Sequence, residues 1–153
     1  MPQEPALFVD RLGHDRRVLR AGLRCIGFDR FHHRFRGSVD RSSGPLQLTW
    51  DNDGVTAFDI ATDWTLEITD RPWADPFAGA SPDRLGDLDG EVGIWVRAQV
   101  ADDDPLVVVI GQSLLSATPE RDEMGELVGV RLCFDTTTLR LFGWEGNLRA
   151  QIE

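Results

Sequence analysis

Adjacent histidines at 32 and 33, within Phe31-His32-His33-Arg34-Phe35, are the first residues suited to chemistry. Two imidazoles bind zinc when both reach one ion. On a strand, however, neighbours point to opposite faces, so His32 and His33 cannot grip one ion together. The only other histidine, His14, would need a carboxylate carried to it by the fold, and no HxxxH or CxxC spacing is present. The expectation is no metal and no cofactor, with one histidine exposed and the other partly packed.

Nucleophiles fare no better. Cys25 lies a few residues before these histidines, but no flanking motif makes it a nucleophile, and a small buried thiol is the ordinary reading. Cys25 and Cys133 are the two cysteines, and without a secretion signal they are expected to be unpaired. Gly111-Gln112-Ser113 lacks the glycine that a nucleophile elbow places two residues after its serine. Asp51-Asn52-Asp53-Gly54 has the wrong ligand spacing for a calcium loop and reads as a hairpin turn.

Carboxylates are more suggestive because of an internal similarity. Residues 46–68 laid over 130–152, a constant offset of 84, place Leu46, Leu48 and Trp50 on Val130, Leu132 and Phe134. Val55, Ala57 and Phe58 fall on Leu139, Leu141 and Phe142, and Trp64, Leu66 and Ile68 on Leu148, Ala150 and Ile152. The two copies differ in charge: Asp53, Asp59, Asp63 and Glu67 stand where the second copy has Thr137, Gly143, Asn147 and Gln151. With Trp64, and with Asp70, Trp73 and Asp75 just beyond, they read as an acidic face with aromatic anchors. A cationic protein partner is the complement of such a face. The candidate partner-binding residues are Asp59, Asp63, Trp64, Glu67, Asp70 and Trp73.

The elements that must position them are short strands. Period-two alternation and turn residues predict strands over 23–36 (with a bulge near Asp29-Arg30), 46–50, 55–60, 64–68, 93–100, 106–110, 128–134, 139–144 and 148–152, and an extended stretch over 111–117. Asp102 to Pro105 is expected to turn. A short helix is expected over 10–20, a Pro/Gly/Asp-rich surface connection over 71–92, and an acidic loop over 118–127. The fold expected is all-β, or α+β with that one short N-terminal helix: two similar antiparallel meanders packed as a sandwich or partly open barrel, in a single domain over 1–153.

Charge narrows the partner classes. The net charge is −10, yet residues 1–41 carry nine arginines against five acids while the rest carry seven against 21. Acidic bulk disfavours nucleic acid and anionic membrane, because phosphate contacts need positive charge. The arginines interleaved with aromatics from Arg24 to Arg36 are therefore expected to pair with the chain's own carboxylates rather than clamp a nucleic acid strand. The longest apolar run, Leu106 to Ile110, is too short to span a bilayer, and no signal peptide is read at the start, so the expected address is the cytoplasm.

Three functional classes follow. The first is a non-catalytic binding module, in specific form an immunity- or antitoxin-like inhibitor of a basic effector protein. The second is a small-ligand binder or enzyme using carboxylates such as Asp59 and Glu67 in a cleft between the halves. The third is a homo-oligomer subunit, monomer and homodimer both being compatible with a free edge at Leu148–Ile152.

Overall fold

Two antiparallel sheets face each other across one apolar core. The computed structural model describes residues 19–98 and 104–153, together with the backbone of two short strands, β1 (Phe8–Val9) and β2 (Asp15–Arg16), which pair with each other. The first large sheet holds β3 (Cys25–Phe35), β4 (Ser38–Asp40), β5 (Leu46–Trp50), β6 (Val55–Ile60), β7 (Leu66–Thr69) and β8 (Ile94–Ala98). In it β3 pairs with β4, β5 and β8, and β5, β6 and β7 follow as a meander. The second sheet has four strands in the order β12-β11-β10-β9: β9 (Leu114–Arg121), β10 (Leu127–Phe134), β11 (Thr138–Trp144) and β12 (Asn147–Ile152). Among the described residues the architecture is a β-sandwich with one α-helix and no closed barrel.

Alternation explains the core. Leu46, Leu48 and Trp50 of β5 face Val130, Leu132 and Phe134 of β10, and all six are buried. Backbone bonds tie the sheets at their margins, as in Gly44 N–H to Leu148 O at 2.9 Å and Gly22 N–H to Leu114 O at 2.7 Å. Gly44 has φ +138°, and a Cβ there would lie 1.8 Å from the Phe31 carbonyl oxygen, so only glycine fits.

Windows 46–68 and 130–152 each form a three-stranded meander, but their registers drift. Leu46 pairs with Phe58 and Phe58 with Ile68; in the other sheet Val130 pairs with Leu141 and Leu141 with Ala150. The offset is thus 84 in the first strand, 83 in the second (58 to 141) and 82 in the third (68 to 150). Each turn of the second meander is one residue shorter. An ungapped match therefore puts inward Phe58 on outward Phe142, because a one-residue slip exchanges the faces of a strand.

Several expected elements differ. Asp15-Arg16, inside the expected 10–20 helix, are strand, and residues 10–14 and 17–18 lie outside the described set. The α-helix among the described residues is instead α1 (Pro82–Glu91), inside the expected surface connection: Ser81 Oγ accepts from Arg84 N–H, Pro82 opens the first turn and Leu88 is its buried side chain. Leu106–Ile110 is not a strand but mostly a 3-10 helix, Pro105–Val109, begun by Asp104, whose carboxylate accepts from Leu106 N–H at 3.0 Å. This buries Leu106 and Val109 three apart rather than two. The acidic loop is shorter than 118–127, since β9 runs to Arg121. In β3 the register shift falls between Cys25 and Gly27, not at Asp29-Arg30. Of the expected 93–100 strand, Ile94–Ala98 is seen; Gln99, Val100 and the turn residues Asp102 and Asp103 lie outside the described residues. No helix among the described residues is long and apolar enough to cross a membrane.

Candidate functional site

The six candidate residues separate into two places. Asp59, Glu67 and Trp73 meet on the outer face of the first large sheet. Asp59 and Glu67 are directly opposed across β6 and β7. The segment after β7 folds back over them: Trp73 N–H donates to Gln47 Oε1 and Trp73 Nε1–H to Asp59 Oδ2, both at 2.9 Å. Asp59 Oδ1 accepts from Ile60 N–H at 2.8 Å. Burial pushes the Asp59 carboxyl above the usual aspartate range, with these two hydrogen bonds opposing the shift. The Trp73 ring lies 4.5 Å from Phe31 and 5.7 Å from Trp95, centroid to centroid, so the strap is fixed by an aromatic layer. Ala57, Asp59, Glu67, Thr69, Arg71 and Trp73 are among the residues lining a groove of about 320 Å³ under it. Asp70, next in chain to Arg71, is exposed.

Asp63 and Trp64 lie elsewhere, at one end of the sandwich. Trp64 does not share a strand face with Leu66 and Ile68, as alternation predicts. It sits in the β6–β7 turn with φ +68° and is 63% exposed. Asp63 Oδ1 accepts from Thr65 N–H at 3.2 Å and from Thr65 Oγ1–H at 2.6 Å, which fixes that turn. A cleft of about 240 Å³ opens here between the sheets, lined by Ile60, Asp63, Trp64 and Thr65 from one side and Asp122, Glu126, Val128, Gly143 and Gly146 from the other. Thus the carboxylate-lined cleft between the halves is built on Asp63, while Asp59 and Glu67 belong to the outer groove.

Asp122 and Glu126 escape a search based on the repeat, because they precede its second copy. They belong to the β9–β10 turn, where Asp122 Oδ1 accepts from Met124 N–H at 2.9 Å and Glu126 N–H at 3.0 Å. The readable signal is an acidic turn, Asp122-Glu123-Met124-Gly125-Glu126, flanked by alternating strands. The β11–β12 turn adds Glu145. Met124 is 85% exposed and Trp144, at the end of β11, is 51% exposed.

The remaining candidates have structural partners. His32 is buried with Nδ1 3.0 Å from Ser43 O, and His33 Nε2 is 3.1 Å from Val92 O. Among the described residues no group of three His, Cys, Asp or Glu is arranged to hold a metal, and His14 lies outside them. Cys25 is buried and Cys133 half-buried, both free thiols, and burial raises the Cys25 pKa. Arg30 pairs with Asp104 at 3.1 Å and Arg34 with Asp89 at 3.4 Å, so these interleaved arginines are held by the chain's own acids.

No protein-family model matches the chain, and no curated protein or solved structure matches it.

Proposed function

We propose that the protein is a non-catalytic acidic binding module that docks a basic protein through the turn end of its sandwich. In specific form this is an immunity- or antitoxin-like inhibitor of a basic effector. The observation that carries the reading is Trp64, largely exposed and held in left-handed backbone between turns that supply Asp63, Asp122, Glu123, Glu126 and Glu145. A non-glycine residue in that region costs about 1–3 kcal/mol. The exposed indole gives the fold little burial in return, whereas tryptophan anchors ringed by charge are what tight interfaces use. The net charge of −10 supports a cationic partner, since opposite potentials accelerate encounter.

The test is the association rate with a basic protein captured from the host and identified. Glu123→Gln, Glu126→Gln and Glu145→Gln together should slow association at low salt and flatten its salt dependence. An unchanged rate removes the turn end as the docking surface.

A second reading has its own support. Asp59 and Glu67 are opposed in one groove, with the Asp59 pKa raised, as acid–base pairs require. It holds if a small molecule co-purifies with the protein and Asp59→Asn abolishes its retention; it fails if retention survives that substitution.

A further inference from the structure

We propose that the cleft beside Trp64 is an arginine seat: it receives one guanidinium of the docked partner, stacked against the indole and forked by the cleft carboxylates. The proposal rests on the docking function above and names the chemical group that anchors it.

Three features of the cleft select a guanidinium. The first is the wall. Trp64 is fixed from both sides of its turn, with Trp64 N–H donating to Ala61 O and Ala61 N–H to Thr65 O, both at 2.9 Å. Its ring lies beside Gly146, where an added Cβ would make ordinary van der Waals contact with the indole, 3.5 Å from Trp64 Nε1. A planar cation stacks on such a face better than a compact, strongly hydrated ammonium.

The second is the acceptor set. Asp63 and Asp122 are each pinned through Oδ1 to the N–H groups of their own turns. The carboxylates are therefore held before anything binds, which lowers the ordering cost of binding. Glu126, on the same wall, accepts from Asp122 N–H through its backbone carbonyl at 3.0 Å, while its side-chain carboxylate has no hydrogen-bond or ion-pair partner among the described residues. Of the two arginines equally near in sequence, Arg121 turns its Nη1 to the Gly125 carbonyl at 3.0 Å and Arg131 pairs with Glu120 and Glu153. The third is the mixed lining: Ile60 and Val128 offer apolar surface to a side-chain stem, with the charges at the head. A bare metal ion would leave that apolar surface and the indole without a role.

The experiment titrates the full chain with N-acetyl-hexaarginine amide, and separately with the hexalysine equivalent, at low ionic strength. It follows backbone and indole N–H resonances. The expected result is that the Trp64 indole and the Thr65, Gly143 and Gly146 amides shift first. Hexaarginine should bind about five-fold more tightly than hexalysine, and Trp64→Leu should weaken it about five-fold. Glu126→Gln, an exposed change with no partner to lose, should weaken binding about two- to five-fold without altering the fold. Shifts confined to Trp73 and the strands of the outer groove would overturn docking through the turn end and, with it, the arginine seat. Equal affinity for the two peptides with no effect of either substitution would also overturn it. Absence of binding by both peptides would overturn the docking function along with the seat.

Discussion

Trp50 and Phe134 hold equivalent positions at the ends of β5 and β10, and their rings stack across the core with centroids 6.3 Å apart and planes 24° from parallel. The first strands of the two meanders therefore touch each other through the same residue position. Phe134→Ala should cost about 3–5 kcal/mol of stability. A cycle with leucine at both positions should give a coupling of about 0.5–1.5 kcal/mol in chemical denaturation. Additive losses would show that the stack contributes only its buried area.

Gly44 joins the two sheets where no side chain fits. Gly44→Ala places a methyl into the Phe31 carbonyl and strains a φ of +138°. The loss should be at least about 2–3 kcal/mol, read as a lowered denaturation midpoint with an unchanged slope.

On the outer face of the second sheet Glu120 accepts from Arg140 Nε and Nη2 at 2.9 and 3.0 Å and from Arg131 Nη1 at 2.9 Å. The Arg140 hydrogen bonds, ahead of the nearby charges, hold its carboxyl below the usual glutamate range. A depressed folded pKa gives stability that is present above the unfolded value, near 4.5, and lost as pH falls through the folded one. Glu120→Gln should cost about 1 kcal/mol near neutral pH. That cost should fade in acid, and a cost independent of pH would contradict the assigned ion pairing.

Asp59 has the opposite sign. Its folded pKa is raised, so its contribution is present below the unfolded value, near 3.8, and lost as pH rises through the folded pKa. Asparagine cannot accept both the Ile60 and Trp73 N–H bonds as the carboxyl group does, so Asp59→Asn destabilises in acid. The penalty should shrink between about pH 3 and pH 7, because the wild type then carries a buried charge. A difference in melting temperature that stays constant over that range would contradict the burial argument.

Which parts of this molecule are legible in its sequence follows from what alternation can and cannot encode. Leu46–Trp50 and Val55–Ile60 have the expected bounds, because Leu46, Leu48 and Trp50 in the one and Thr56 and Phe58 in the other alternate into the core and both strands end at turns. The helix Pro82–Glu91 is nearly silent, since it buries Leu88 almost alone and carries Gly86 and Gly90. Its start is marked only by Ser81-Pro82-Asp83. Leu106–Ile110 is apolar throughout, and such a run fits a strand or a helix equally well until the Asp104-Pro105 cap is read. The site suffers most from the one-residue difference between turns. Register pairs Asp59 with Glu67 where the second meander pairs Phe142 with Arg149, not the Gly143 and Gln151 of an ungapped match. It also moves Trp64 off its strand and into the turn, and so divides the expected acidic face between a groove and a cleft.

The most direct test of docking through the turn end compares capture from the host extract by three forms: wild type, a turn-end variant (Trp64→Leu with Glu123→Gln, Glu126→Gln and Glu145→Gln), and a groove variant (Asp59→Asn with Glu67→Gln). The predicted result is one identified basic protein held stoichiometrically by the wild type and the groove variant at low salt, released at high salt, and lost by the folded turn-end variant. Retention of that protein by the turn-end variant, with loss by the groove variant, would contradict the account.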